Sequence, residues 1–324
     1  MTWLPDATVA HLRAVAGALP ETAAPDLSGT PYEIREELGH GGMGTVYRAW
    51  DRALAREVAL KVVNPHAPAD LARRVMHEAR TLARLEHPGL VPVHDVGELP
   101  DGRPFYVMKL VRGERLDAAL RTMPSLAERL GVFERICEAV AFAHANGIVH
   151  RDLKPENVML GAFGETLVLD WGAAKTLGEA AEPTTLPDDG PPATPTTGHG
   201  MVIGTAGYMA PEQARGDSAA VDARADVHAL GAMLRDIVQS PEGGDEPSRP
   251  LRAIIAHAMA LEPDDRYQTA DALAEDVRRA RDGEPVSVYR ENLLERAGRL
   301  VARYRVPLLL VLTYLVMRMI LLLF

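Results

Sequence analysis

The sequence predicts an α+β fold of two lobes, a small lobe built on a β-sheet with one helix and a larger, mostly helical lobe. The chain has 324 residues, which at about 100–200 residues per domain is enough for one two-lobed domain with appendages. Segments with strand-like alternation dominate residues 32–110, whereas apolar residues at helical spacing dominate residues 111–282. The apolar run over 306–324 adds a predicted transmembrane helix at the C-terminus.

Composition excludes several classes of protein. Hydrophobic residues make up 47% of the chain and charged residues 25%, which excludes wholesale disorder. The single cysteine, Cys137, excludes a disulfide framework and any zinc or iron–sulfur site built from cysteines. Asp and Glu number 45 against 35 Lys and Arg, for a net charge of −10. Because nucleic-acid binders carry the opposite balance, we expect no nucleic acid as a partner.

The small lobe is predicted to contain five strands around one helix. The helix is expected over 71–85, because Leu71, Val75, Leu82 and Leu85 recur at helical spacing. The strands alternate in polarity or form compact apolar runs. They are Tyr32–Leu38, Thr45–Trp50, Glu57–Val63, Leu90–Val96 and Pro104–Leu110.

The large lobe is predicted to centre on a long buried helix that starts near Leu126 and ends near Asn146 and Gly147. Two short apolar runs follow at 158–160 and 166–169. Residues 178–200 are rich in Pro and Thr and are predicted to form a loop. Further helices are expected at about 222–239, 250–260 and 270–281, whereas residues 1–31 are expected to be a loosely structured extension.

Residues 39–44 read Gly-His-Gly-Gly-Met-Gly. This pattern alone is weak, and an ordinary hairpin turn is the alternative interpretation. Its place between two strands, rather than at the start of a helix, disfavours a dinucleotide-binding turn. Glycines allow backbone amides to approach phosphate oxygens closely, and Val46 would then cover a purine ring.

Lys61 ends the apolar strand Val58-Ala59-Leu60-Lys61, and Glu78 lies on the helix that follows. Lys61 alone could be a solubilising residue at a sheet edge. A pair between Lys61 and Glu78 would instead fix the ammonium against the α- and β-phosphates of a nucleotide.

The most specific signal is the stretch 150–157, which reads His-Arg-Asp-Leu-Lys-Pro-Glu-Asn. Asp170-Trp171-Gly172 and Ala210-Pro211-Glu212 follow in order. With these motifs, residues 32–282 resemble the protein kinases, specifically the eukaryotic-like serine/threonine protein kinases of bacteria. The resemblance implies a two-lobed kinase fold, with an antiparallel sheet in the small lobe (32–110) and a mostly helical large lobe (111–282).

The resemblance also implies a set of site residues. Asp152 would orient or accept the proton of a substrate hydroxyl, and Lys154 would contact the γ-phosphate of ATP. Asn157 is the third catalytic residue, and with Asp170 it would bind Mg²⁺, with Mn²⁺ as an alternative. Thr205 and Lys154 match the pattern of kinases that act on serine and threonine. The ATP-binding residues implied are Gly39, Gly41, Gly44, Val46, Ala59, Lys61, Glu78 and Val111.

Other matches imply structural roles, and two departures are visible. Glu212 is expected to pair with Arg266, and Asp226 to brace the catalytic loop from a central helix. Trp171 replaces the usual Phe but remains a large apolar wedge. The segment 232–265 is shorter than expected, which leads to the hypothesis that docking of protein substrates is altered or narrowed.

The segment between Asp170 and Glu212 is long and rich in threonine. Arg151 is suited to pair with a phosphate on it, so we expect autophosphorylation there, with a plain spacer as the alternative. Two of its threonines, Thr196 and Thr197, are candidate sites of this modification.

The C-terminal tail leads us to expect a membrane anchor. Residues 283–305 are basic and amphipathic, and the apolar run 306–324 contains one charge, Arg318. The basic flank predicts a single pass through the inner membrane with the kinase domain in the cytoplasm. The alternative is a helix buried against the kinase or a partner.

The expected function is therefore a membrane-anchored serine/threonine protein kinase that uses ATP and Mg²⁺ and acts on protein substrates. A non-catalytic scaffold is one alternative, but Lys61, Asp152 and Asp170 are all present. A small-molecule phosphotransferase is the other, although the complete set of motifs favours a protein substrate. A homodimer is left open.

Overall fold

The structure is a computed structural model. It describes residues 24–41, 44–65, 69–176, 207–216, 221–239, 247–292, 295–296 and 305–323. The described chain forms two compact units. Unit 1 comprises the residues up to Ala83 together with Pro92–Leu110, and unit 2 comprises Arg84–Val91 and the residues from Val111 onward.

The helices and strands follow one another along the chain as short β segments first and longer helices later. In order they are β1 (Tyr32–Gly41), β2 (Gly44–Asp51), β3 (Arg56–Val63), α1 (Ala69–Ala83), β4 (Val93–Glu98), β5 (Pro104–Lys109), β6 (Gly113–Arg115), α2 (Leu116–Ala119), α3 (Leu126–Ala145), β7 (Ile148–Val149), β8 (Val158–Gly161), β9 (Thr166–Val168), β10 (Lys175–Thr176), α4 (Pro211–Ala214), α5 (Ala223–Val238), α6 (Arg249–Ala258), α7 (Ala270–Arg281) and α8 (Arg305–Leu323).

Unit 1 is a five-stranded sheet with the strand order β1-β2-β3-β5-β4, and every neighbouring pair is antiparallel. One face of the sheet carries a core that includes the buried side chains of Tyr32, Leu60 and Phe105. On the other face, α1 packs Val75 and Ala79 against Tyr106 and its neighbours. Strand alternation therefore divides β3 between two buried environments.

Unit 2 is built around α3, whose interior side chains are buried along most of its length. The side chain of Ser125 accepts the backbone N–H of Glu128 and caps the start of this helix. Helices α5 and α7 pack against α3. A close approach between α5 and α6 depends on Gly231, since a Cβ there would lie 2.7 Å from the Cβ of Ala258.

The structure confirms the predicted α+β class, with an antiparallel sheet in unit 1 and mostly helices in unit 2. The expected long helix is α3, which ends at Ala145, with Gly147 at a positive φ of 74° just beyond it. The strand predicted from Leu90 begins only at Val93, because Leu90 forms an isolated bridge with Val168 in unit 2. Sequence analysis did not predict the short strands β6, β7 and β10.

The predicted transmembrane helix is not supported. Residues 305–323 form α8, but among the residues that the structure describes, no helix is long and apolar enough to cross a membrane. Most of the predicted N-terminal extension lies outside the described residues, as do the whole predicted loop at 178–200 and all residues between Arg296 and Arg305.

Candidate active site

The glycine-rich segment of unit 1 is the tip of the β1–β2 hairpin. Gly41 pairs with Gly44 across the strands, and Gly39 pairs with Val46. Val46 in turn pairs with Lys61 on β3. Because directly opposed residues share a sheet face, the glycines, Val46 and Lys61 line one face. Ala59, two residues before Lys61, lies on this face as well.

Close packing between β2 and β3 requires a glycine at position 44, whether or not a ligand binds there. A Cβ at this position would overlap the backbone carbonyl oxygen of Val62 on the neighbouring strand. At Gly39, by contrast, a Cβ would meet nothing within 4 Å. The hairpin therefore approaches β3 closely at Gly44 and leaves the space beside Gly39 open, as a phosphate-binding turn requires.

Lys61 and Glu78 form a buried ion pair within unit 1. The Nζ of Lys61 donates to Oε2 of Glu78 at 2.7 Å, and the side chains are only 10% and 1% exposed. The ammonium also lies 5.7 Å from the centroid of the Tyr106 ring, within cation–π range. The carboxylate thus fixes the position of the ammonium, a positively charged donor of the kind that binds anions.

In unit 2, residues 152–157 hold a carboxylate, an ammonium and an amide together. Nζ of Lys154 donates to Oδ2 of Asp152 at 2.8 Å. Nδ2 of Asn157 donates to the Asp152 carbonyl oxygen at 2.8 Å and contacts its Oδ2 at 3.4 Å. The loop therefore constrains the Asp152 carboxylate at both its backbone and its side chain.

Asp226 on α5 supports this loop through hydrogen bonds to the backbone at its start. Its carboxylate, 1% exposed, accepts the backbone N–H groups of His150 at 2.7 Å and Arg151 at 2.8 Å. Nε2 of His144 lies 2.8 Å from the same carboxylate. Burial acts to raise the pKa of Asp226, but the His144 hydrogen bond and the neighbouring donors outweigh it and lower that pKa.

His150 links the loop to the residues before Asp170. Its Nδ1 accepts the backbone N–H of Asp152 at 3.3 Å, so its Nε2 carries the hydrogen and donates to the Leu169 carbonyl at 2.9 Å. The His150 ring lies 4.5 Å from that of Trp171, and both residues are fully buried. Trp171 therefore fills the predicted role of an apolar wedge.

Asn157 and Asp170 provide oxygen atoms of the kind that Mg²⁺ binds. The backbone N–H of Leu169 donates to the Asn157 carbonyl at 2.8 Å, which brings the two segments together. Asp170 has φ 59° and ψ 68°, a left-handed conformation that is uncommon outside glycine. The donor set of one amide and one carboxylate fits Mg²⁺, which usually takes one or two protein ligands together with phosphate oxygens and water.

Glu212 and Arg266 form a second buried ion pair in unit 2, as predicted. Nη1 and Nη2 of Arg266 donate to the two carboxylate oxygens at 2.7 and 2.8 Å. The same guanidinium also donates to the backbone carbonyls of Ala260, Arg224 and Leu261. This bidentate pair connects α4, which contains Glu212, to the segment of unit 2 that contains Arg266.

The profile of the family described as "Protein kinase domain" matches residues 32–276, more than half of the chain. This chain belongs to the protein kinase family. The matched segment contains Glu78 and Glu212 of the two buried ion pairs, the loop at 152–157 and Asp170.

Relatives with curated names agree with this assignment. The chain is 38% identical to "Serine/threonine-protein kinase PknB" of Mycobacterium tuberculosis over 78% of its own length and 43% of the relative's. It is 38% identical to "Probable serine/threonine-protein kinase SCO3848" of Streptomyces coelicolor, over 80% and 41%. It is 43% identical to "DNA damage-responsive serine/threonine-protein kinase RqkA" of Deinococcus radiodurans, over 63% and 29%. The chain thus spans less than half the length of the relatives it matches.

The remaining predicted residues of the kinase site fall in two groups. Val111 lies outside helix and strand, in the segment between β5 and β6, and is half-buried. Thr196, Thr197 and Thr205 lie outside the described residues.

Sequence analysis missed the part played by Gln213. Its Nε2 donates to the Arg151 carbonyl at 2.8 Å, and its Oε1 accepts the backbone N–H of Ala210 at 3.2 Å. It therefore ties α4 to the residue that precedes Asp152. Its position directly after Glu212 was the signal in the sequence, but nothing there shows which backbone group it reaches.

Proposed function

We propose that this protein is a serine/threonine protein kinase that transfers the γ-phosphate of ATP to hydroxyl groups of protein substrates. The observation that carries the proposal is the Asp152 carboxylate, held 2.8 Å from the ammonium of Lys154 and braced by Asn157. We propose that the kinase domain spans residues 32–282. The names of the relatives, all serine/threonine-protein kinases, support the same class of acceptor.

In the proposed reaction, unit 1 holds the nucleotide. The backbone amides of Gly39, Gly41 and Gly44 belong to residues that have no side chain, which lets phosphate oxygens approach them. Lys61, oriented by Glu78, neutralises charge on the α- and β-phosphates. Val46 and the neighbouring Ala59 offer the apolar surface on which a purine ring packs.

Unit 2 supplies the groups that move the proton and stabilise the transferred phosphoryl. The substrate hydroxyl oxygen forms a bond to the γ-phosphorus as the bond from that phosphorus to the β–γ bridging oxygen breaks, and the hydroxyl proton passes to Asp152. Lys154 reduces the negative charge on the γ-phosphoryl oxygens during this step. Asn157 orients the Asp152 carboxylate through its amide.

Asn157 and Asp170 are the residues proposed to hold Mg²⁺. The bound ion supplies charge neutralisation at the phosphates. The left-handed backbone of Asp170 aims its carboxylate differently from that of an extended residue, and the next residue, Trp171, is fully buried.

Two further parts of the proposal concern the acceptor and regulation. Lys154 and Thr205 match the pattern of kinases that act on aliphatic hydroxyls. We also propose that the kinase phosphorylates its own activation segment, with Thr196 and Thr197 as candidates. Phosphopeptide mapping of active protein that finds no phosphate between residues 170 and 205 would contradict this part.

The shortened segment 232–265 leads to a proposal about substrate docking. Helix α5 ends at Val238 and α6 begins at Arg249, so little chain is left there for a docking element. We propose that protein-substrate docking is altered or narrowed in consequence. Grafting a longer segment from a relative should widen the range of substrates, and no gain in range or rate would count against the idea.

The direct test of the proposed function is transfer of radiolabel from [γ-³²P]ATP by the full chain to itself and to a generic basic protein. We expect label that needs Mg²⁺, appears on Ser and Thr but not Tyr, and is lost in Asp170→Asn. Asp101→Asn, a change at an exposed surface turn, is the matched control and should retain the activity. A wild-type protein that binds ATP but transfers no label would overturn the proposal.

A further inference from the structure

The β1–β2 hairpin carries a chain of polar side chains on the face opposite its glycines. His40 lies directly across from Thr45 in the strand register, between the Gly39–Val46 and Gly41–Gly44 pairs. Nδ1 of His40 is 2.8 Å from Oγ1 of Thr45, which donates to Oδ1 of Asn64 at 3.2 Å. These three residues form the His40–Thr45–Asn64 chain.

The direction of each hydrogen bond in this chain follows from the single hydrogen of the Thr45 hydroxyl. Because that hydrogen is donated to Asn64, the Thr45 oxygen must accept, and Nδ1 of His40 must donate. Thr45 is only 5% exposed, whereas His40 is exposed. Water therefore replaces the His40 or Asn64 contact at Thr45 poorly, and the hydroxyl depends on these partners.

The hairpin needs such a connection because of its glycines. Glycine loses more conformational freedom on ordering than any other residue, and it offers no side chain for contact across a strand pair. The Gly41–Gly44 pair therefore contributes no side-chain contact across the two strands. The opposite face can carry a side-chain connection without obstructing the approach of phosphate oxygens to the glycine amides.

The third member of the chain lies on the strand that also positions the ammonium. Asn64 directly follows β3, three residues after Lys61, and Thr45 pairs with Val62 on that strand. A contact from Thr45 to Asn64 thus fixes the distance between the glycine-rich tip and the part of β3 that carries Lys61. Both groups are assigned above to the phosphates of the same nucleotide.

We propose that His40, Thr45 and Asn64 are positioning residues for the nucleotide phosphates, and that they act by fixing the glycine-rich tip relative to Lys61. The inference rests on the proposed kinase function, because it assigns a purpose to the hairpin in that reaction. A positioning role predicts that the chain strengthens the binding of ATP, whereas a purely structural role predicts only that it stabilises the fold.

The test compares four single variants of the full chain, and the fourth, His40→Leu, removes the other end of the hydrogen-bonded chain. Thr45→Val removes the hydroxyl and keeps the branched shape, Thr45→Ser keeps the hydroxyl, and Thr122→Val is the same change at an exposed turn in unit 2. Each is measured for the KM of ATP, kcat, the Kd of Mg²⁺-ADP by calorimetry and the melting temperature.

We expect Thr45→Val to raise the KM of ATP and the Kd of ADP about two- to tenfold, which corresponds to one lost hydrogen bond. Its kcat should stay within about twofold of the wild type. Thr45→Ser, which keeps the hydroxyl, should retain nucleotide binding. His40→Leu should weaken nucleotide binding as well. The double variant His40→Leu/Thr45→Val should lose less binding free energy than the sum of the two single losses, because both changes break one chain.

Equal nucleotide binding by Thr45→Val and the wild type would overturn the inference, as would equal losses in Thr45→Val and Thr45→Ser. A drop in melting temperature without a change in KM or Kd would show a structural role only. If the wild type binds ADP but transfers no phosphate, the kinase proposal fails while the Kd values still decide the role of Thr45. A wild type that binds no nucleotide would overturn both.

Discussion

The carboxylate of Asp226 accepts the backbone N–H of Arg151 at 2.8 Å from a position 75 residues away in the sequence. Arg151 has a φ of 72°, in the left-handed region that costs a non-glycine residue about 1–3 kcal/mol. Two hydrogen bonds hold this conformation: the backbone N–H of Arg151 donates to Asp226, and the carbonyl of Arg151 accepts from Gln213. The strained residue directly precedes Asp152, so the buried carboxylate sets the direction in which the proposed proton acceptor points.

Replacing Asp226 with asparagine should therefore impair the transfer step more than ATP binding. An amide has one acceptor oxygen where the carboxylate has two, so a donor at His144, His150 or Arg151 would face its NH₂ group. We expect kcat to fall at least about tenfold while the KM of ATP stays within about threefold.

Steady-state kinetics would test this, with Asp236→Asn as the control. Asp236 lies on the same helix α5 and accepts hydrogen bonds from Tyr208 and Arg235. Its replacement should leave kcat within about twofold. Equal losses of kcat in the two variants would contradict a specific role for Asp226.

The Glu212–Arg266 pair should contribute to folding stability because it is buried and bidentate. The side chain of Glu212 is 3% exposed and that of Arg266 is 0% exposed. Glu212→Gln leaves the guanidinium without its counter-charge, and we expect a loss of about 3–5 kcal/mol in the free energy of unfolding.

Urea denaturation would measure this loss. The matched control is Glu275→Gln, which breaks an ion pair between Glu275 and Arg279 whose side chains are 37% and 40% exposed. That change should cost less than about 1 kcal/mol, because surface pairs are screened by water. If both variants lost the same free energy, the buried pair would have no special weight.

The protein should lose stability in acid through two buried carboxylates. Burial acts to raise the pKa of Glu212 and of Asp226, but hydrogen bonds from Arg266 and from His144 outweigh it, so both pKa values lie below their ordinary range. A carboxylate with a lowered folded pKa stabilises the fold above its unfolded pKa of about 4, and that stability is lost as the pH falls through the folded value.

We therefore expect the free energy of unfolding to decline as the pH falls below about 4. Chemical denaturation at a series of pH values would show it, and Glu212→Gln should flatten the decline because one of the two carboxylates is gone. A free energy that stays constant between pH 5 and pH 2.5 would contradict the assignment of these shifts.

Trp171 should tolerate another aromatic side chain but not a small one. It is fully buried against the ring of His150, and its Nε1 donates to the Val168 carbonyl at 3.4 Å. Trp171→Ala should cost about 3–5 kcal/mol of stability and abolish phosphate transfer. Trp171→Phe should cost less than about 2 kcal/mol and retain transfer. Thermal denaturation and the label assay measure both, and loss of transfer in Trp171→Phe would contradict a packing role.

Much of the site could be predicted because its residues lie close together in the sequence. Asp152, Lys154 and Asn157 were named from the resemblance of their stretch to the protein kinases, and the structure brings the three side chains together in one short loop. The strand pattern of unit 1 likewise places Val46 and Lys61 in register once the hairpin turn is known. The resemblance to the protein kinases and the strand alternation were sufficient for these parts.

The resemblance implied two contacts between distant segments, the Glu212–Arg266 pair and the support of the loop by Asp226, but others could not be predicted. The bonds from His144 and Gln213 depend on the path of the backbone, since each reaches a group more than 60 residues away. The sequence analysis assigned no role to His144. The left-handed conformation of Arg151 also had no signal, because arginine is not a residue that favours positive φ.

The most direct test of the account is a comparison of Asp152→Asn with the wild type in ATP binding and in phosphate transfer. The account assigns Asp152 to the substrate hydroxyl and not to the nucleotide. We therefore predict that the variant binds Mg²⁺-ATP with a Kd within about threefold of the wild type. It should transfer radiolabel at least about 100-fold more slowly, in keeping with the loss of a general base. Transfer at the wild-type rate by Asp152→Asn would contradict the account.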